Sequence, residues 1–204
     1  MKLLIATTNP GKVAEFRQML GDLQFEYSDL SQHPRVEPPE ETGETFEANA
    51  QLKATYYAKK FGTLTLADDS GLSVDALDGK PGVHSARWAE MNHAGKGDAA
   101  NNALLLQQLR GIPSQKRTAR FVCALSLANA AGDILATVRG EVEGQVLPEP
   151  RGENGFGYDP LFLLPSLGLT TAQLPPEQKH RLSHRGRALR RLHEMIETGK
   201  VVIA

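Results

Sequence analysis

Leu3-Leu4-Ile5-Ala6-Thr7-Thr8-Asn9-Pro10-Gly11-Lys12, followed by Val13, Phe16 and Leu20, is the stretch that decides the fold. Four consecutive apolar residues read as a buried strand, 7–11 as a turn, and the recurrence at 13, 16 and 20 as a helix. A strand passed through a tight turn into a helix is the opening of an α/β fold. Farther along, 118–127 alternates Phe121, Cys123, Leu125 and Leu127, turns near Gly132-Asp133 and returns over 134–146. That is a hairpin of two long strands, which rules out a purely parallel sheet. The expected class is therefore α/β with a mixed sheet.

The remaining pattern fills in around these two anchors. A helix is expected over 44–61, with Phe46, Ala50, Ala54, Tyr57 and Phe61 as its apolar stripe, Thr45 as N-cap and Gly62 as stop. Lys53 borders that stripe. Residues 64–67 read as a strand ending in a turn at Asp68-Asp69-Ser70-Gly71, and 72–77 as a further strand. Asp98 is expected to cap a helix running through Leu104, Leu105 and Leu109 to Gly111. A Gly-rich loop over 151–159 precedes the apolar run 161–164, and Ser183 is expected to cap a last helix carrying Leu189, Leu192 and Ile196. No repeat, low-complexity tract or linker interrupts the chain, so a single domain over 1–204 is expected.

At 204 residues, 40% apolar and 23% charged, the chain can bury a core without disulfides or structural metals. Its one cysteine, Cys123, agrees. The net charge of −1 advertises neither nucleic acid nor a membrane surface as partner. Charge is nevertheless segregated. Glu37, Glu40, Glu41, Glu44 and Glu47 crowd one short stretch, while Lys179, Arg181, Arg185, Arg187, Arg190 and Arg191 crowd another with His180 and His184. Such separation suits an anionic ligand carried with a cation. No apolar run approaches the ~20 residues of a membrane span, and the N-terminus lacks a secretory pattern. A cytoplasmic location is the expectation.

Several segments carry groups suited to phosphate chemistry. The turn at 7–12 offers backbone amides and a positive helix end to an anion, with Lys12 adding a full charge. It is not a P-loop, which would need Gly at position 6 and Ser or Thr at position 13, where Ala6 and Val13 stand. Asp68 and Asp69 at a strand end repel one another unless a cation intervenes, and Mg²⁺ accepts one or two carboxylates beside phosphate oxygens. Glu40 or Glu41 could supply a second ligand. Lys53 and Asn49 could meet an anion on the same helix. The loop Gly155-Phe156-Gly157-Tyr158-Asp159 has aromatic faces and an acceptor suited to a flat ring, and Ser183-His184-Arg185-Gly186 presents donors at a helix start.

In this order, TTNPGK at 7–12, EETGETFEANAQLKA at 40–54, ADDSGLSVDALDGKPGVHSAR at 67–87, GFGYDPLF at 155–162 and SHRGRAL at 183–189 resemble the inosine triphosphate pyrophosphatase family. The resemblance implies a long twisted sheet with helices forming two lobes about a central cleft. It implies Mg²⁺-dependent hydrolysis of inosine, deoxyinosine and xanthosine triphosphates to monophosphate and pyrophosphate, by a homodimer that cleanses the nucleotide pool. By the same resemblance, Thr7, Thr8, Asn9, Pro10, Gly11 and Lys12 hold the triphosphate with Lys53, and Ser70 touches substrate. Glu40 and Asp69 hold Mg²⁺, with Asp69 also the base. Phe156, Gly157, Tyr158 and Asp159 stack and read the purine, and Lys179, His184 and Arg185 complete its site. The family most often has Gly where this chain has Thr8. Whether Asp69 or Asp68 takes the proton stays open at this level. The alternatives are a related pyrophosphatase acting on modified pyrimidine or other nucleotides, and a non-catalytic nucleotide binder.

Overall fold

The computed structural model describes residues 2–20 and 25–203. Its strands are β1 (Lys2–Ile5), β2 (Glu26–Asp29), β3 (Leu64–Val74), β4 (Thr118–Ala128), β5 (Ile134–Val146), β6 (Phe162–Leu164) and β7 (Leu169–Thr170). Its α-helices are α1 (Pro10–Met19), α2 (Phe46–Phe61), α3 (Trp88–Met91), α4 (Gly97–Gln108), α5 (Pro176–Leu182) and α6 (His184–Glu197). The strands are ordered β2-β1-β3-β4-β5-β6-β7 in one sheet. β1 runs parallel to β2 and β3, whereas β6 is antiparallel to β5 and β7, so the sheet is mixed. Among the described residues no helix is long and apolar enough to cross a membrane.

The chain divides into two compact units. The first takes in the described residues up to Asp69, Cys123–Gly140 and the described residues from His184 on; the second comprises Ser70–Val122 and Glu141–Ser183. In the first, alternate residues of the strands face two different layers, as the two-residue period of a strand requires. Leu3, Ile5, Leu64 and Leu66 pack with Phe16 of α1 and with Leu189 and Leu192 of α6. Leu4, Ala6 and Ala67 pack instead with Ala54, Tyr57 and Ala58 of α2. Both faces are covered, which is why β1 reads as an unbroken apolar run. Phe16 alone, fully buried, contributes roughly 1.5–3 kcal/mol by leaving water.

The helix ends follow local chemistry. The Asn9 side chain accepts from the Lys12 amide at 3.1 Å, and Pro10, with no N–H to leave orphaned, opens α1. Thr45 caps α2 by accepting from the Ala48 amide, and Gly62 closes it in the left-handed conformation. Both ends of α2 match the sequence reading.

Two expectations are corrected. Asp68-Asp69-Ser70-Gly71 is not a turn: β3 continues through it to Val74, followed by a short 3₁₀ turn over Asp75–Leu77. Gly71 is needed there for close approach, since a Cβ would lie 2.4 Å from both the Gly82 carbonyl and Ser85 Oγ. Second, α4 is preceded by Lys96 as its N-cap, and Asp98 lies inside its first turn. The helix ends at Gln108 with Leu109 as its C-cap, two residues before Gly111. The second unit has its own core of Leu72, Val74, Leu105, Leu109, Phe121 and Phe162, among others. The residues 176–182 form α5, an element the periodicity had not marked.

Candidate active site

Because Asp68 and Asp69 are consecutive in a strand, their side chains leave opposite faces. Asp68 continues the Leu64 and Leu66 face toward α1 and α6, and Asp69 continues the Ala67 face toward α2. The pairing of Ile5 with Leu66 puts both acids beyond the last paired residue of β1, beside the turn at 7–12. The carboxyl end of a parallel strand is where α/β folds place their chemistry.

On the first face, Asp68 has no exposed side-chain surface. Its Oδ2 lies 3.1 Å from Lys12 Nζ and 3.2 Å from Arg185 Nη2. Arg185, 1% exposed, also donates through Nη1 to Glu15 Oε2, and its guanidinium lies 5.6 Å from the Phe16 ring centroid. Burial works against the charge on Asp68, but Lys12, Arg185 and Lys53 outweigh it and hold the carboxyl well below the usual carboxylate range. Burial likewise opposes the charge on Arg185, and Asp68 and Glu15 overcome it, raising its pKa. The row Lys12, Asp68, Arg185, Glu15 alternates in sign, so each buried charge faces an opposite one.

On the second face, Lys53 Nζ donates to Asp69 Oδ1 at 2.8 Å and to Glu41 Oε1 at 2.7 Å. Asn49 Nδ2 donates to Asp69 Oδ2 at 3.3 Å, and Asn49 Oδ1 accepts from the Gly43 amide at 2.8 Å, tying the acidic segment to α2. Burial disfavours the Lys53 ammonium, yet Asp69, Asp68 and Glu41 together raise its pKa. For Asp69 the balance is reversed. Burial lifts its pKa, and Lys53 and Lys12 only partly offset the rise. Two neighbouring carboxylates thus have opposite tendencies, one locked as the anion and one more willing to take a proton.

Of the other predicted residues in this unit, Thr7 is half-buried and its Oγ1 accepts from the Asn9 amide at 3.2 Å, Thr8 and Pro10 are exposed, and Gly11 is half-buried. Glu40 is exposed and His184 is buried at the start of α6. Among the described residues no three of His, Cys, Asp and Glu gather as a metal cage. Mg²⁺ does not require one, since it completes its shell with water and phosphate oxygens. The hard carboxylate oxygens of Asp69 and the acidic 40–41 segment fit such an ion. Glu41 already neutralises Lys53, leaving the exposed Glu40 as the carboxylate open to a cation.

In the second unit, the predicted loop is centred on Asp159, which is 3% exposed. Its Oδ2 accepts from the Phe156 amide at 2.9 Å and from Lys179 Nζ at 2.6 Å, and its Oδ1 from Thr171 Oγ1 at 2.8 Å. Lys179 Nζ also lies 5.0 Å from the Phe156 ring centroid. Tyr158 is buried in the core, its hydroxyl donating to the Ser85 carbonyl at 2.9 Å. Phe156 is half-buried. Ser70 is half-buried on β3. Sequence reasoning missed Glu15, Thr171, Asp98 and Asn102. Each acts through a long-range bond that no local pattern announces.

A model of the Ham1 family matches residues 3–195. The chain belongs to the Ham1 family. It is 54% identical over 198 residues to a dITP/XTP pyrophosphatase of Exiguobacterium sibiricum, covering 97% of this chain and 98% of that protein. It is 46% identical over 194 residues to a dITP/XTP pyrophosphatase of Bacillus subtilis, covering 95% and 96%. The fold matches a HAM1 protein from Coxiella burnetii with a TM-score of 0.85 at 38% identity, over 97% of this chain and 99% of that one. It also matches a nucleoside-triphosphatase, dITP/XTP pyrophosphatase, from Mycobacterium abscessus with a TM-score of 0.74 at 45% identity, over 96% and 100%. Among Ham1 proteins, then, this chain shares both sequence and fold along nearly its whole length.

Proposed function

We propose that this Ham1 protein is a Mg²⁺-dependent pyrophosphatase that hydrolyses non-standard purine nucleoside triphosphates, dITP, ITP and XTP, to the monophosphate and pyrophosphate. The observation that carries the reading is the pair of lysine–aspartate contacts, Lys12 with Asp68 and Lys53 with Asp69, in the middle of β3 beside the turn at 7–12. Two half-buried ammonium groups held by carboxylates are positioned in advance for a polyanion, and electrostatic positioning supplies most of the catalysis in phosphoryl transfer.

Each residue then has a distinct task. Lys12 and the start of α1 bind phosphate oxygens, and Lys53 neutralises charge as the bond to the leaving group breaks. Asp69 accepts the proton of the attacking water while the water oxygen bonds to the α-phosphorus and the α–β anhydride bond breaks. Asp68, tied by ion pairs to both Lys12 and Arg185, is the poorer proton acceptor of the two. Asp69 and Glu40 would hold Mg²⁺, which when bound would supply charge neutralisation on the phosphates. Phe156 offers a stacking face to the purine, and the Asp159–Lys179 pair sets the polarity of the loop. Arg185, closed in by Asp68 and Glu15, fixes Asp68 and Lys12, and His184 lines the same helix start. The protein acts as a homodimer in the cytoplasm on the nucleotide pool.

The test is product identity. Incubated with dITP and Mg²⁺, the protein should release pyrophosphate and dIMP with no early orthophosphate. Orthophosphate with dIDP would place the attack at the γ-phosphorus and overturn the reading.

A further inference from the structure

Gly157, at the tip of the Phe156 loop, has both sides of its backbone held by α4. Its amide donates to Asp98 Oδ2 at 2.7 Å, and its carbonyl accepts from Asn102 Nδ2 at 2.9 Å. Asp98 and Asn102 are four residues apart and so share one face of the helix, one turn above the other. This fits a two-point clamp on a single residue. Gly157 has φ +61, a left-handed conformation that has no ladder of its own, so its backbone groups need partners from elsewhere.

Asn102 makes this contact at a cost. Its Oδ1 is buried with no hydrogen-bond partner. Turning the amide over would bring that oxygen against the Gly157 carbonyl, so the orientation is fixed by the loop. A buried unpaired carbonyl oxygen is destabilising, and a leucine of similar size would avoid it. A residue that breaks a local stability rule while gripping one loop is better explained by what the loop does. Asp98 is exposed, so its bond to Gly157 adds direction more than stability.

We infer that Asp98 and Asn102 are positioning residues for base recognition, a role resting on the reading that the Phe156 loop receives the purine. By holding Gly157 they set the plane of the Phe156 ring and the aim of the Asp159 carboxylate, and a purine nucleotide binds an arrangement that is already formed. Loss of the clamp makes binding of the base carry the cost of ordering the loop.

The experiment compares wild type with Asn102→Leu and Asp98→Ala, titrating two probes by calorimetry: dIMP, which carries the base, and inorganic tripolyphosphate, which does not. Pyrophosphate release from dITP and thermal midpoints are recorded alongside. Asn102→Leu is expected to weaken dIMP about five- to tenfold, the worth of one hydrogen bond, with tripolyphosphate changed less than about twofold and the midpoint not lowered. In turnover the effect should appear in KM more than in kcat. Equal weakening of both probes, no weakening of dIMP, or a lowered midpoint that accounts for the loss would overturn the clamp. So would a wild type that does not bind dIMP. If wild type binds dIMP with the expected variant pattern but releases no pyrophosphate from dITP, the clamp stands and the proposed reaction falls.

Discussion

Replacing Arg185 with methionine removes a buried cation from between two buried carboxylates. The guanidinium is 1% exposed, with Asp68 Oδ2 at 3.2 Å and Glu15 on its other arm. Methionine fills much of the same volume, so the effect is chiefly electrostatic. Removing one partner of a buried ion pair typically costs about 3–5 kcal/mol, because the remaining charge is left uncompensated. Asp68 retains Lys12 at 3.1 Å, which limits its share of the loss. With a urea dependence of about 2–3 kcal/mol per molar, the unfolding midpoint at pH 7 should fall by roughly 1–2 M. The pH dependence follows with a definite sign. Against the effect of burial, Lys12, Arg185 and Lys53 depress the native pKa of Asp68. Its stabilisation is therefore present above its ordinary value of 3.8 and is lost as pH falls toward the depressed native value. In Arg185→Met the depression is smaller, so the gap from wild type should narrow below about pH 4. Glu15→Gln added to Arg185→Met should recover part of the loss, because one buried anion fewer then faces the missing cation. An Arg185→Met protein that unfolds at the wild-type urea concentration at pH 7 would refute the buried four-charge row.

Three further outcomes follow. Asp69→Asn should lower kcat by about 10²–10⁴-fold while tripolyphosphate affinity, measured by calorimetry, changes little; undiminished turnover would remove Asp69 from the chemistry. Gly155→Ala should raise KM for dITP about tenfold or more, because Gly155 has φ +78 and a Cβ would fall 2.2 Å from Asp159 Oδ2 and 2.9 Å from Lys179 Nζ. Cys123, fully buried, has its pKa pushed up to about 12, by burial above all, so an aromatic disulfide reagent at pH 8 should titrate no thiol until denaturant is added.

Local chemistry made much of the first unit legible. Thr45 and Gly62 mark the ends of α2 by mechanisms that involve only neighbours within a few residues, and each stands where it was expected, whereas Asn9 and Pro10, read as part of a turn, cap and open α1. The hairpin of β4 and β5 was readable from alternation. What the sequence concealed was long-range. Asp68 and Asp69 look like turn residues because acids seldom continue a buried strand, and the cations that permit it, Lys12, Lys53 and Arg185, are remote in the chain; Arg185 is 117 residues away from Asp68. Gly71 reinforced the error, since glycine for close approach and glycine for a turn are the same letter. For the same reason Arg185 could be marked as functional by its neighbours in sequence but not seen to be enclosed by Glu15 and Asp68. Asp98 reads as a cap, yet its carboxylate serves Gly157.

Attack by water at the α-phosphorus, beside Lys12, Lys53 and Asp69, is tested most directly by a single turnover of dITP in ¹⁸O-labelled water. The label should appear in the phosphate of dIMP, with the released pyrophosphate unlabelled. Label in the pyrophosphate would mean attack at the β-phosphorus and contradict the roles given to these residues.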